Sequence, residues 1–560
     1  MSLIRARKRL VRHDHQSRLA VHGDDARIDD VLVAECVRSE PVTSVVPALM
    51  SKELIALCID MSEVVGGGTV VSGGYLGSTL MRYVANILMA RMVSPAVYGM
   101  FGEIFSLTYI LGWIAKSGFD IVFVRLLPRY LLKSELKLVV GLTRFILLIT
   151  IVLGLFAGLL FFVYAPRIAL LFYHDASCTL LLREMTVLIP LIALQTVIAA
   201  GLQAFKEVLW KMYIERIVQP VLTLIMLVLA FLLDWKVEGL SFSTIVGYLF
   251  AVGIGYLVLM RIVKRHTPHV LPASYQVRRW LALSLPLFFN GLIYALADTL
   301  NALLLGLLAT PGQAAGYLVA ERAAIFVTMP LAALSVRYTP LIAEYYYHGL
   351  PVRITRMYAA VTRWSILLSL PVFLWLLIFR QVVLQGFGAA YAGYETVLII
   401  ICVGFLVYAV LGPASYIFVM VAPPRLIMLN STLSIGANII LSCIMIQLYA
   451  AMGAALSIFF SSLITYGLSF CWVNWYLKMQ PLRWQLYKPL LAGGLAVLTG
   501  YLILHCMQIE SDMFRVLVTL GAMILFIITY CFALILLRFS PEDLFVFAHL
   551  LGKFRLRPAS

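Results

Sequence analysis

TVVSGGYLGSTLMRYVANILMARMVSPAVYGMFG, residues 69–102, decides the fold class. The apolar run from Thr69 to Val93 is long enough to cross a bilayer core, which takes about 20 helical residues. It nevertheless carries Arg82 near its middle. A guanidinium at bilayer depth is costly and persists only against protein or a watery cavity. Arg82 is therefore the first candidate functional residue of the chain. The stretch closes on Ser94-Pro95…Gly99, whose proline and glycine read as a turn.

Composition extends this reading to the whole chain. Of 560 residues, 62% are apolar and 12% charged, with a mean hydropathy of +0.97. A soluble domain carries about twice that charged fraction, so the class is a membrane protein. The eight cysteines follow no metal-ligand spacing, and Cys402, Cys443, Cys471 and Cys531 lie inside apolar runs as small hydrophobes. No metal and no cofactor is expected. The net charge is +16. Residues 1–66 hold nine Lys/Arg against ten Asp/Glu, so the excess lies wholly in the membrane region. That points to membrane topology and away from a nucleic-acid partner. The tail opens on a basic cluster (Arg5, Arg7, Lys8, Arg9, Arg12) with no apolar run behind it. It therefore reads as a cytoplasmic segment touching anionic lipid headgroups, not as a signal peptide.

Beyond Thr69 the chain alternates apolar runs with short polar breaks. Fourteen spans are expected, near 69–93, 102–124, 138–165, 179–205, 213–233, 239–260, 280–308, 313–336, 357–379, 395–420, 426–447, 452–477, 487–507 and 515–537. The 52 residues Leu426–Leu477 hold no charge and must turn near Gln447–Gly453. With the N-terminus inside, the loops assigned to the cytoplasm carry 25 Lys/Arg and the outer loops six. This is the asymmetry of the positive-inside rule, and it places both termini in the cytoplasm.

The spans repeat at an offset of about 215 residues. Ser94-Pro95…Gly99 answers Thr310-Pro311…Gly316, and Val124-Arg125-x-x-Pro128 answers Val336-Arg337-x-x-Pro340. Lys211 answers Arg425, and Gly239 answers Gly453. A period of six spans gives both copies the same orientation, as parallel repeats. The chain then divides into a tail (1–66), a first lobe (67–265), a second lobe (266–478), an appended helix pair (479–540) and a C-terminal tail (541–560).

Four stretches carry a resemblance: LMRYVANILMARMVSPAVYGMF (80–101), GFDIVFVRLLPRYL (118–131), LSLPLFFNGLIYALADTLNALLLG (283–306) and GYLVAERAAIFVTMPLAAL (316–334). In order and spacing they resemble the multidrug/oligosaccharidyl-lipid/polysaccharide (MOP) flippase superfamily, especially its Wzx-like polysaccharide flippases, over about residues 69–478. The resemblance implies an all-α polytopic protein with two six-helix lobes in a V around a central cavity. It further implies a protein of the bacterial inner membrane, not an enzyme. Its expected work is to carry lipid-linked oligosaccharide from the inner to the outer leaflet by alternating access, beside polysaccharide assembly proteins.

Charged residues inside the spans are the site candidates. Arg82 lies about 20 Å along its span at 1.5 Å per residue, with Asn86 one turn on. Lys116 and Asp120 are four apart on the second span and able to pair, either lining the cavity or locking the packing. Asp298 and Asn301 sit in the outer half of the seventh span, with Glu321 and Arg322 at like depth on the eighth. Arg125 and Arg337 mark cytoplasmic ends and suit headgroup anchoring. A polyprenyl pyrophosphate prefers forked guanidinium donors, and Tyr83, Trp113 and Tyr317 are available to stack on sugars. The competing reading is a cation-coupled multidrug exporter with Asp298 or Glu321 as coupling site, against which Arg82, Lys116 and Arg322 favour an anionic cargo. A membrane polymerase or ligase would need a large outer loop, and no phosphate-binding GxxxxGK[ST] loop is present.

Overall fold

The computed structural model describes residues 69–173, 178–267, 272–479, 487–506 and 512–536, and no strand occurs among them. The two tails, including the basic cluster, lie outside the described residues. Helices α1 (Thr69–Met92), α2 (Pro95–Lys116), α3 (Phe119–Leu132), α4 (Leu136–Ile168), α5 (Cys178–Met185), α6 (Leu188–Ala204), α7 (Val208–Tyr213), α8 (Gln219–Leu232) and α9 (Lys236–His266) build the first lobe. The second comprises α10 (Val277–Leu308), α11 (Pro311–Ala324), α12 (Met329–Tyr347), α13 (Pro351–Ile378), α14 (Arg380–Phe387), α15 (Glu395–Val421) and α16 (Pro424–Tyr476). The pair α17 (Tyr487–Cys506) and α18 (Asp512–Leu536) packs together and against α13.

Over the described residues each expected span falls mostly on helix. By length and hydropathy, seven of the described helices suffice to cross a membrane, or eight if one bent pair counts as a single span. The longest, α16, is divided at Ala450, whose backbone (φ 50°, ψ −121°) is not helical. That break lies inside the turn expected at Gln447–Gly453.

Two expectations need correction. Ser94-Pro95…Gly99 is not a turn: Ser94 is the N-cap of α2, Pro95 opens the helix and Gly99 lies within it. Proline at the first helical position is pre-set for the helix and loses no needed donor, so the second span starts at Pro95 and not at 102. Nor are the second and eighth spans continuous. Left-handed Ser117 (φ 48°) and Gly118 (φ 74°) separate α2 from α3. A short 3₁₀ turn, Ile325–Val327, separates α11 from α12 with a bend of 51°.

The two breaks differ in place, since α2 runs 22 residues from Pro95 before its break and α11 only 14 from Pro311, but other backbone features repeat. Thr310 and Pro311 open α11 as Ser94 and Pro95 open α2. The α3–α4 corner places Ser134 at φ 56° and bonds Glu135 N–H to the Tyr130 carbonyl at 2.9 Å. The α12–α13 corner places Gly349 at φ 68° and bonds Leu350 N–H to the Tyr345 carbonyl at 2.9 Å. Asp234 (φ 55°) turns the α8–α9 hairpin as Ala450 (φ 50°) turns its counterpart. The duplication read from four sequence matches is thus present in hydrogen bonding and dihedral angles.

The buried core explains the V. At one end a single cluster joins the lobes, with Ala85, Met89, Tyr98 and Phe101 packed among Ala314–Ala324 of α11, Phe379, Phe387 and Tyr391. At the other end the core divides in two. One cluster gathers Phe119–Tyr130, Leu138–Leu147 and Trp280, the other Leu331–Tyr345, Ile354–Trp364 and Phe418. The joined end is lined with small residues, which allow helices to approach where apolar lipid offers no hydrophobic drive. The outward faces carry exposed apolar side chains such as Leu148, Phe156, Leu249 and Leu257.

Candidate functional site

Helix α1 packs on α8 of its own lobe and on α11, α12 and α14 of the other. Arg82, exposed on α1, therefore stands at the seam between lobes. What holds it begins in the sequence Ile214-Glu-Arg-Ile-Val-Gln-Pro220. Residues Ile214–Val218 form a π-helix, in which Gln219 N–H reaches back five residues to the Ile214 carbonyl. The next donor in that register would belong to Pro220, which has no N–H. The Glu215 carbonyl is thereby left to a side chain, and Arg82 Nη2 donates to it at 3.3 Å. The same nitrogen donates to Gln219 Oε1 at 3.1 Å. A π-bulge is a rare interruption that recurs at functional positions, and here the carbonyl it frees accepts from a guanidinium.

Asn86 ties the same region together. Its Nδ2 donates to the Arg82 carbonyl at 2.7 Å, and its Oδ1 accepts from Tyr98 Oη of α2 at 2.9 Å. Two further cations, Arg216 and Arg322, act electrostatically on Arg82, as do Tyr248 and Tyr109. Arg322 comes from the second lobe, with its Nη1 3.9 Å from Glu321 Oε2. Glu321 accepts from the buried Tyr317 hydroxyl at 3.4 Å. Asn301, also buried, accepts from Ser442 of α16 at 2.6 Å. The structure thus brings Arg82, Asn86, Glu321 and Arg322 to one seam, with cations from both lobes.

Other candidates lie elsewhere. Lys116 and Asp120 pair at 2.7 Å across the α2–α3 break, and Lys116 is only 2% exposed. Its Nζ sits 3.1 Å from the Trp113 ring centroid. A cation ends α2 and an anion begins α3, each the sign its helix terminus favours. Asp298 lies on α10, and its side chain is outside the described residues. Arg125 and Arg337 are exposed at matching positions of α3 and α12. Of the aromatic candidates, Tyr83 is packed edge-on against Phe326 and Phe387, and Tyr317 is enclosed.

Three residues, two of them beside Arg82, escape a reading of the sequence. Arg216 reads there as a cytoplasmic loop cation, and Gln219 as a polar residue at the edge of an apolar span. Glu103, at the expected start of the second span, is fully buried on α2 against Gly306 of α10. A Gln-Pro pair at the foot of a span is the one available signal for the first two.

Comparison with known proteins places this geometry. The family model described as polysaccharide biosynthesis protein matches residues 64–346, just over half of the chain. No curated protein matches. Among solved structures, an inward-facing multidrug resistance MATE family transporter of the MOP superfamily aligns with TM-score 0.59 and 14% identity, over 72% of this chain and 94% of its own. The lipid II flippase MurJ, in an inward closed conformation, aligns with TM-score 0.59 and 15% identity, over 84% of this chain and all of its own (100%). A MATE transporter of Vibrio cholerae, VcmN, aligns with TM-score 0.52 and 13% identity, over 77% and 99%. At such identities the likeness is one of fold. The chain belongs to the polysaccharide biosynthesis protein family, built on the fold of the MOP-superfamily transporters.

Proposed function

We propose that this multi-pass membrane protein is a flippase for lipid-linked oligosaccharide, carrying a polyprenyl pyrophosphate headgroup between leaflets by alternating access. The observation that carries the reading is the Arg82 guanidinium, fixed at the lobe seam by the Glu215 carbonyl and Gln219, with Arg322 of the opposite lobe in Coulombic range. Forked donors from two lobes suit a pyrophosphate better than a neutral or cationic drug. A charge held by both lobes is also a means of coupling cargo to their relative movement.

The lobes join at the end bearing Tyr98 and Ala314 and part at the end bearing Leu127 and Ile342. With the topology set by the loop cations, the parted end faces the cytoplasm, where a lipid-linked precursor is loaded. The setting is a bacterial inner membrane with both termini cytoplasmic, and polysaccharide assembly proteins are the expected neighbours. The test is transfer of a fluorescent lipid-linked oligosaccharide between leaflets of vesicles containing the purified protein. Transfer above protein-free vesicles supports the reading. Equal rates in both contradict it.

A further inference from the structure

Much of the second lobe is uncharged: along α15 and α16, residues 396–424 and 426–477 hold no Asp, Glu, Lys or Arg. What they carry instead is tyrosine. Tyr408, Gly412 and Tyr416 follow one another at four-residue steps on one face of α15. A methyl group at Gly412 would come within 3.1 Å of the Tyr408 ring. Glycine there leaves the two tyrosines room to meet, and their hydroxyls hydrogen-bond at 2.9 Å. The Tyr408 ring lies 5.1 Å from that of Tyr466 on α16. All three are half-buried. Tyr338, edge-on to Tyr416, is enclosed and donates to the Pro413 carbonyl, so it serves packing. Tyr408 and Tyr416 border the core cluster of the parted end. Tyr408 also lies in electrostatic range of Tyr75 on α1, which turns this wall toward the first lobe. One turn past Tyr466, Ser469 accepts from Asn430 Nδ2 at 3.3 Å. Asn430 Oδ1 is enclosed and has no hydrogen-bond partner among the described residues.

From this geometry we infer that Tyr408, Tyr416 and Tyr466, with Asn430, form a second-lobe site for the uncharged saccharide of the cargo. The inference rests on the flippase reading and assigns the sugar a place of its own, built without charge. A tyrosine hydroxyl both donates and accepts, and its ring offers an apolar face beside that polar handle. A sugar ring presents the matching pair, a C–H face and a rim of hydroxyls. The Tyr408–Tyr416 pair uses one of its two O–H donors internally and keeps the other for a ligand. Asn430 Oδ1 is an acceptor whose burial is costly until a donor such as a sugar hydroxyl reaches it.

The test uses the full chain in phosphatidylcholine nanodiscs, with farnesyl pyrophosphate and its glucosyl conjugate as probes and farnesol as control. The wild type is expected to bind the conjugate about tenfold more tightly than farnesyl pyrophosphate, the scale of one or two net hydrogen bonds. The double variant Tyr408→Phe/Tyr416→Phe keeps both rings and removes both hydroxyls. It should lose most of that gain while binding farnesyl pyrophosphate as the wild type does, and Tyr466→Phe should lose part of it. Thermal melting confirms that the variants are folded. If the double variant keeps the full gain, the assignment to these tyrosines is overturned. If it weakens both probes equally, the tyrosines serve packing and the saccharide site is overturned. A wild type that binds the conjugate no better than farnesyl pyrophosphate, yet both better than farnesol, overturns the saccharide site and leaves the flippase reading standing. If the wild type binds neither probe better than farnesol, the flippase reading itself fails.

Discussion

Gly99 of α2 and Pro311 of α11 touch backbone to backbone: a methyl group at Gly99 would overlap the Pro311 carbonyl oxygen. The contact joins the lobes at their shared core, and glycine is the residue that permits it. Gly99→Leu is therefore expected to prise that end apart. Cys178, 4% exposed and 3.1 Å from Met100 Sδ, offers a native reporter. Its labelling by a thiol reagent, read by mass spectrometry, should rise several-fold in the variant. Unchanged labelling would show that the seal does not depend on this contact.

The Lys116–Asp120 pair separates packing from cargo binding. Removing one partner of a buried ion pair strands the other, at a cost of about 3–5 kcal/mol, whereas replacing both with apolar groups is often neutral. Lys116→Met and Asp120→Leu should each lower the melting temperature, and the double variant should recover most of the loss. Transport should follow stability. A stable double variant that no longer transports would move the pair into the cargo site.

Pro220→Ala tests the origin of the Arg82 site. The substitution restores a backbone donor at the place where the π register lacks one, and that donor competes with Arg82 for a carbonyl. The expected outcome is a folded protein that transports several-fold more slowly. Faster or unchanged transport would show that the carbonyl does not position Arg82.

The repeats and the membrane class are legible in sequence because they rest on hydropathy, loop charge and helix-opening prolines, all local signals. The helix ends are less legible: Ser94-Pro95 looks alike as a turn and as a helix start, and which one forms depends on the packing of the residues after Pro95. The breaks at Ser117-Gly118 and Ile325–Val327 lie beside charged residues (Lys116, Asp120, Glu321, Arg322) but inside stretches apolar enough overall to read as single spans, so hydropathy passes over them. Arg82 is legible because an arginine amid apolar residues is conspicuous. Its partners are not, since Glu215 and Gln219 are 133 and 137 residues away. Arg216 is hidden by its position near a loop, where a basic residue is ordinarily explained by topology.

The central claim is that Arg82 holds the cargo headgroup, and the most direct measurement compares Arg82→Ala and Arg82→Lys with wild type in leaflet transfer of lipid-linked oligosaccharide at equal protein level. Losing a charge-assisted contact of about 2 kcal/mol corresponds to a rate about thirtyfold lower. Arg82→Ala is predicted to fall by that much, while Arg82→Lys, which keeps the charge but loses the fork, retains an intermediate rate. Wild-type transfer by a folded Arg82→Ala protein would contradict the account.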